Sequence, residues 1–89
     1  MSGETEYRVD FAASAAKEFR SLPPDVRKRA IPRIDTLANT PHPRGSVKLK
    51  GHQRIYRIRV GEYRIVYEVD DPAKRVLVTR IRHRREVYD

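Results

Sequence analysis

The sequence predicts an α+β fold in which two N-terminal helices pack on one face of a small, mainly antiparallel curved sheet, in the order β-α-α-β-β-β. Three observations lead to this prediction. Apolar residues recur at helical spacing between residues 12 and 38. Polar and apolar residues then alternate over two segments joined by Gly61 and Glu62, which is the pattern of a β-hairpin. With 89 residues and no cysteine, the chain is expected to form a single domain over residues 1–89 without disulfide support.

The N-terminal half is predicted to hold one strand and two helices. Residues 5–11 alternate between apolar and polar side chains and are predicted to form a strand. Residues 12–21 are rich in helix formers, and Pro23 and Pro24 end this helix and begin a second one that runs to about Ala38. Pro32 falls on the solvent side of the second helix, so we predict a bend there instead of a break. The apolar stripe of this helix consists of Val26, Ala30, Ile34, Leu37 and Ala38, with Ile31 at its edge.

The C-terminal half is predicted to be a meander of strands. Residues 39–46 form a loop, and residues 47–52 either open the next strand or remain an arm. The hairpin strands cover residues 54–60 and 63–69, and a two-residue turn pairs residues whose numbers sum to 123. Glycine at the first turn position suits a type II′ turn. A turn at 70–74 leads into a last strand over 75–82, and residues 83–89 form a tail.

This arrangement gives the sheet an apolar face and a basic face. The apolar face is predicted to contain Tyr56, Ile58, Val60, Tyr63, Ile65, Tyr67, Val69, Leu77 and Ile81. The basic face is predicted to contain Arg57, Arg59, Arg64, Arg80 and Arg82, interleaved with Val66, Val76 and Val78. Arg59 lies directly across from Arg64, and like charges in that position destabilise a sheet. The pair therefore indicates an anionic ligand, with phosphate as the first candidate.

The positive charge is concentrated in the strand half. The net charge is +8, of which residues 1–43 supply seven cations minus six carboxylates and residues 44–89 supply thirteen minus six. A basic surplus of this kind favours nucleic acid, an acidic protein partner or an anionic surface as ligand. The four cations on the polar side of the second helix are interpreted as a solvated face instead of a DNA-reading helix. They are Arg27, Lys28, Arg29 and Arg33.

Several other function classes are excluded by the sequence. The four glycines form no nucleotide-binding loop, and the three histidines are scattered without a carboxylate cluster, so neither a cofactor nor a metal is expected. No apolar run approaches the ~18 residues of a membrane span. The N-terminus lacks the pattern of a signal peptide, and we therefore expect a cytoplasmic protein.

Five segments together resemble one protein family. They are Tyr7–Phe11, Leu22–Pro23, Leu49–Gly51, Tyr56–Tyr67 and Ile81–Tyr88. In these segments the chain resembles the RelE/ParE toxins of bacterial and archaeal toxin–antitoxin systems. The resemblance implies a short helical hairpin on a curved sheet. It also implies a ribosome-dependent mRNA endoribonuclease, or mRNA interferase, that needs no metal, works in the A site of the 70S ribosome and inhibits translation.

The resemblance also assigns candidate site residues. The catalytic set of RelE-like toxins falls on Arg57, Arg59, Arg64, Arg82 and Tyr88. RelE has lysines at the first two of these positions, and arginine is a poor general base, so proton abstraction is assigned to either His83 or Tyr88. We further predict RNA contacts from a second set of residues. These are Lys48, Lys50, Arg54, Arg80, His83 and Arg84.

Two alternative functions are compatible with the same sequence features, and the toxin functions imply a protein partner. ParE-like relatives share the fold but inhibit DNA gyrase, and a basic nucleic-acid-binding module without activity would have a similar charge distribution. For the toxin functions the partner is an antitoxin protein. We expect an acidic or amphipathic segment of it to cover the basic face in a hetero-oligomer, because the strand half carries a net charge of +7 (thirteen minus six).

Overall fold

The computed structural model describes residues 6–49, 51 and 54–86 and confirms the α+β class. Its elements are β1 Arg8–Phe11, α1 Ala13–Arg20, α2 Pro24–Thr36, β2 Val47–Lys48, β3 Ile55–Val60, β4 Tyr63–Asp70, β5 Arg75–His83 and a short 3₁₀ turn over Arg84–Glu86. The five strands form one sheet in the order β1-β5-β4-β3-β2. Neighbouring strands are antiparallel except β1, which runs parallel to β5 at one edge. Residues 47–52, predicted as either the start of a strand or an arm, thus contribute the short edge strand Val47–Lys48.

Both helices cover the same face of the sheet. The core combines Ala15 of α1 and the buried stripe of α2 with the apolar residues of β3, β4 and β5. α2 begins at Pro24, where a proline costs no hydrogen bond. The negative charge of Asp25 in its first turn interacts favourably with the positive end of the helix dipole. Pro32 lies inside α2 and is exposed, as the sequence predicted. Over the described ranges no helix is long and apolar enough to cross a membrane.

The β3–β4 hairpin has the predicted register. All six pairs sum to 123, from Val60 opposite Tyr63 to Ile55 opposite Glu68. Gly61 has a φ of +59°, whereas Glu62 does not have a positive φ, which fits the glycine-first type II′ turn. The N–H of Val69 donates to the carbonyl of Arg54 at 2.9 Å, and hydrogen-bonded pairs alternate along an antiparallel ladder. Arg59 and Arg64 therefore form a non-hydrogen-bonded pair, the kind in which opposite side chains lie closest.

The predicted faces of the last strand were partly wrong. Between Val66 and Tyr67 the β4–β5 register shifts, so Val78 lies opposite Tyr67 and Val76 opposite Val69. Val76 and Val78 are therefore buried in the core, and Leu77 lies opposite Glu68 on the other face. The irregularity is a β-bulge at Thr79, whose hydroxyl donates to the carbonyl of Val66 at 3.3 Å. Beyond the bulge the prediction holds, since Ile81 is buried while Arg80 and Arg82 lie on the basic face.

Tyr67 connects the sheet to the loop that precedes β2. Its ring is fully buried, and its hydroxyl donates to the carbonyl of Pro41 at 2.9 Å. Burial raises the pKa of Tyr67 to about 12 from its ordinary value of 10. The Tyr67 hydroxyl therefore keeps its proton to a higher pH in the folded protein than in the unfolded chain.

This pKa shift predicts a loss of stability in alkali. The contribution of Tyr67 is fully present below pH 10 and disappears as the pH rises from 10 to about 12, because only the unfolded chain then releases the proton readily. The free energy of unfolding should fall by about 2–3 kcal/mol more in the wild type than in Tyr67→Phe over this window. Urea unfolding of both proteins at pH 9 to 12 checks this. Parallel pH curves for the two proteins would contradict it.

Candidate functional site

Three arginines form a row across the open face of the sheet. Arg64 on β4 lies opposite Arg59 on β3 and opposite Arg82 on β5. One residue pair further along, Val66 lies between Arg57 and Arg80. Val66 is only 8% exposed although it does not belong to the core under the helices. The aliphatic stems of the neighbouring arginine side chains can account for this burial, because long charged side chains cover apolar surface with their stems.

Arg64 is the central member of the arginine row and has an unsatisfied donor. Its Nη1 atom is buried and has no hydrogen-bond partner among the described residues. A buried cationic donor without an acceptor is costly, and nearly all such groups in folded proteins are paired. Because its cross-strand neighbours are also arginines, the structure places Arg64 where a bound anion would satisfy it.

An open cavity of about 330 Å³ lies beside this row. It is lined by Arg33, Gly45, Val47, Arg57, Ile58, Arg59 and Arg64. Four of these side chains are guanidinium groups and none is a carboxylate. Guanidinium binds phosphate oxygens through two parallel N–H donors and stays charged at neutral pH and well above it. The cavity is therefore suited to a phosphate group and not to a metal ion.

Glu18 of α1 holds Arg82 at the end of the arginine row. One carboxylate oxygen accepts from the backbone N–H of Ile81 at 2.7 Å, and the other accepts from Nε of Arg82 at 2.8 Å. The Glu18 side chain is 22% exposed and that of Arg82 is 38% exposed. Because Glu18 engages the Nε edge of the guanidinium, the orientation of Arg82 is fixed from the helix side of the strand.

Comparison with known proteins places this arrangement in a family. The model of the ParE toxin of the type II toxin–antitoxin system parDE matches residues 9–88. The chain belongs to the RelE/ParE toxin superfamily. It is 34% identical to toxin RelE3 of Methanocaldococcus jannaschii, with 92% of this chain and 96% of the relative covered. It is also 34% identical to the mRNA interferase toxin RelE of Escherichia coli, with coverages of 92% and 90%.

The fold agrees with this membership. The crystal structure of the archaeal RelE–RelB complex from Pyrococcus horikoshii contains a chain that superposes with a TM-score of 0.80 at 30% identity. The alignment covers 92% of this chain and 99% of that chain. Two helices on a five-stranded, mostly antiparallel sheet are thus shared over nearly the whole length.

The structure separates the predicted catalytic residues from most of the predicted RNA contacts. Arg57, Arg59, Arg64 and Arg82 lie together on the open face, whereas Tyr88 lies outside the described residues. Among the predicted RNA contacts, Arg80 shares this face and Lys50 lies outside the described residues. The four others are placed elsewhere or engaged with a carboxylate.

The positions of these four residues have simple causes. Lys48 lies opposite Tyr56, and His83 lies opposite Tyr63 with the two rings 5.3 Å apart. Both residues therefore share the face of the core tyrosines and not that of the arginine row. Arg54 forms an ion pair with Asp70 at 3.6 Å, and Arg84 forms one with Glu62. Neither ion pair could be predicted from the positions of these residues in the sequence alone.

Sequence reasoning missed two residues of the site, Arg33 and Glu18. Arg33 was assigned to a solvated helix face, yet its Nη1 atom donates to the carbonyl of Arg59 at 2.9 Å. Arg27 of the same predicted face donates to the carbonyls of Arg20 and Leu22. Helical spacing showed that these arginines avoid the core. Only the tertiary structure shows which of them reach the neighbouring elements.

Proposed function

We propose that this chain is the toxin of a type II toxin–antitoxin pair and that it cleaves mRNA on the ribosome as an endoribonuclease. The observation that supports this most directly is the buried, unsatisfied Nη1 of Arg64 in the arginine row beside an arginine-lined cavity. The relative from Escherichia coli carries the name mRNA interferase. We assign the toxin to the cytoplasm, where translated mRNA is found.

The reaction consists of an in-line attack of a ribose 2′-hydroxyl on the adjacent phosphate. The O2′–P bond forms and the P–O5′ bond breaks, which gives a 2′,3′-cyclic phosphate and a 5′-hydroxyl end. In the proposal Arg64 and Arg82 bind the phosphate and the negative charge that develops on it, while Arg57 and Arg59 orient the backbone. Tyr88 moves a proton or stacks on a base. His83 is the weaker candidate for the base because it lies on the face of the core tyrosines.

A second candidate function is inhibition of DNA gyrase, and the matching ParE family model favours it. Primer extension on mRNA from a translating extract that contains the toxin separates the two. Cuts at a fixed phase within codons support the ribonuclease. Intact mRNA together with accumulating gyrase-cleaved DNA would establish the gyrase inhibitor. If neither mRNA cleavage nor gyrase-cleaved DNA is observed, the remaining candidate is a basic nucleic-acid-binding module without activity.

Glu18→Gln should weaken cleavage through Arg82. The amide retains an acceptor for the N–H of Ile81 but cannot hold Nε of Arg82 as the carboxylate does. Misplacement of an orienting group costs up to about 10²-fold in rate, so single-turnover cleavage should fall by about 10–100-fold. In an Arg82→Ala background Glu18→Gln should have no further effect. Additive losses in the double variant would show that Glu18 acts on something else.

The partner proposed for the basic face is the antitoxin. Solved relatives include the RelBE toxin–antitoxin complex of Escherichia coli and the RelB–RelE antitoxin–toxin complex of Methanococcus jannaschii. We propose that an acidic or amphipathic antitoxin segment lies over the arginine row and neutralises it, because this face gathers Arg57, Arg59, Arg64, Arg80 and Arg82. Coverage of the row would also explain how the toxin is kept inactive until the antitoxin is removed.

Replacement of Arg57, Arg59 and Arg64 by alanine should weaken antitoxin binding and flatten its salt dependence. We expect at least about a tenfold loss, which corresponds to ~1.4 kcal/mol. Titration calorimetry at 50 and 300 mM KCl measures both quantities. The matched control replaces three exposed cations elsewhere, Lys17, Lys28 and Arg85, and should bind nearly as the wild type does. Equal, salt-independent binding by the arginine variant would reject this partner surface.

A further inference from the structure

Two arginines of α2 reach the β3–β4 hairpin from the helix side. Arg33 lines the arginine cavity and donates one N–H to the carbonyl of Arg59. Arg29, one helical turn earlier, lies over the turn of the hairpin. A Cβ atom built on Gly61 would come within 2.9 Å of its Nη2 atom. The two guanidinium groups thus lie along the end of the hairpin, with Arg33 at the cavity and Arg29 at the turn.

Their access to this position results from the short length of β2. The β2–β3 register pairs Val47 with Arg57, so residue 45 would lie opposite Arg59 if the strand continued. The chain instead turns at Gly45, whose φ is +94°, and leaves that edge of β3 open. Arg33 satisfies the exposed carbonyl with one of its five N–H groups. Its remaining donors are available to a ligand, because Arg33 is exposed to solvent.

We propose that Arg29 and Arg33 form a second phosphate-binding track, which carries the backbone of single-stranded RNA from the cavity over the open edge of β3 to the hairpin turn. This rests on the proposed function, which places the scissile phosphate at the arginine row. Residues four apart on a helix face lie about 5–6 Å apart, so they can contact neighbouring phosphates of one strand. RNA is the proposed occupant because four guanidinium groups and no carboxylate line the cavity, and guanidinium groups match the phosphate oxygens that recur along an RNA strand.

The test measures binding of RNA without cleavage. The probe is a fluorescein-labelled, ten-nucleotide single-stranded RNA that is 2′-O-methylated throughout and therefore cannot be cut. Arg29→Gln/Arg33→Gln removes both charges and leaves an uncharged polar side chain at each position. Lys28→Gln is the matched control, since Lys28 is exposed on the same helix. Thermal unfolding checks that all variants are folded.

Anisotropy titrations from 25 to 150 mM KCl give the slope of log K against log salt. Each lost phosphate contact should reduce the magnitude of this slope by about 0.7, so the double variant should lose about 1.4, with at least tenfold weaker binding at 25 mM KCl. Lys28→Gln should match the wild type. A double variant that binds RNA as Lys28→Gln does would overturn the track. If that variant also binds an acidic antitoxin peptide more weakly than the wild type does, Arg29 and Arg33 contact a protein partner instead of RNA. Arg64→Ala distinguishes failure of the proposed function from failure of the track. If Arg64→Ala binds RNA as the wild type does, the proposed function fails. If RNA binding is impaired in Arg64→Ala but not in the Arg29/Arg33 double variant, only the track fails.

Discussion

Arg64→Ala should reduce mRNA cleavage by roughly 10²–10³-fold, the loss that follows removal of one preorganised donor that stabilises developing charge. The structure gives the physical reason. Nη1 of Arg64 is buried without a partner, and arginines flank the residue on both neighbouring strands. Such an arrangement does not help the free protein, because like charges directly opposite each other destabilise a sheet. The benefit must come from a ligand that brings negative charge to this point.

The fold should survive this substitution. The hairpin retains the Tyr56–Tyr67 and Ile58–Ile65 pairs, and relief of the Arg59–Arg64 repulsion should raise the free energy of unfolding by a few tenths of a kcal/mol, about the low end of cross-strand effects. Thermal unfolding and single-turnover cleavage on programmed ribosomes measure the two effects. Arg80→Ala is the matched control. Its side chain has the same charge and lies on the same face but does not line the cavity, so cleavage should fall only a few-fold. Full activity of Arg64→Ala, or unfolding that accounts for its loss, would reject the assignment.

The hairpin could be predicted because its determinants are local. A glycine at the first position of a two-residue turn fixes the turn type, and the turn fixes the register of every pair that follows. Alternation then assigns each side chain to a face, which is why Arg59, Arg64 and Arg82 were correctly placed together. β5 was harder because Val76, Leu77 and Val78 are all apolar, so periodicity could not show which of them faces the core. The bulge at Thr79 decides this, and it depends on packing against β4.

The rest of the candidate site depends on contacts between elements distant in sequence. Glu18 holds Arg82 across 64 positions of the chain, and Arg33 reaches Arg59 across 26. Exposed charged residues give no sequence signal for such contacts, because a carboxylate or guanidinium on a helix is normally solvated. Arg33 reaches the cavity only because β2 begins at Val47 and does not extend back to residue 45. A strand two residues long has too little periodicity to predict from sequence.

Arg59→Glu should abolish cleavage and stabilise the protein at the same time. The new carboxylate would lie directly across from Arg64 in a non-hydrogen-bonded pair, where it can accept hydrogen bonds from the guanidinium. The RNA phosphate would then have to compete with an internal anion, so cleavage should fall by about 10³-fold or more. Replacing a like-charge pair by an opposite-charge pair should raise the free energy of unfolding by about 1 kcal/mol. The contact from Arg33 to the carbonyl of Arg59 involves only the backbone and should persist.

Arg59→Gln separates loss of the cation from gain of the anion. It should reduce cleavage less than Arg59→Glu does and stabilise the fold by only a few tenths of a kcal/mol, about the value for relief of repulsion alone. Urea, which is uncharged, is the denaturant to use, since guanidinium chloride would screen the pair being measured. A glutamate variant less stable than the glutamine variant would mean that Arg64 does not meet position 59 in solution. A glutamate variant that cleaves as well as the glutamine variant would mean that Arg64 does not bind the phosphate. Opposite changes in activity and stability from one substitution are expected only if Arg64 is kept unpaired for an anionic substrate.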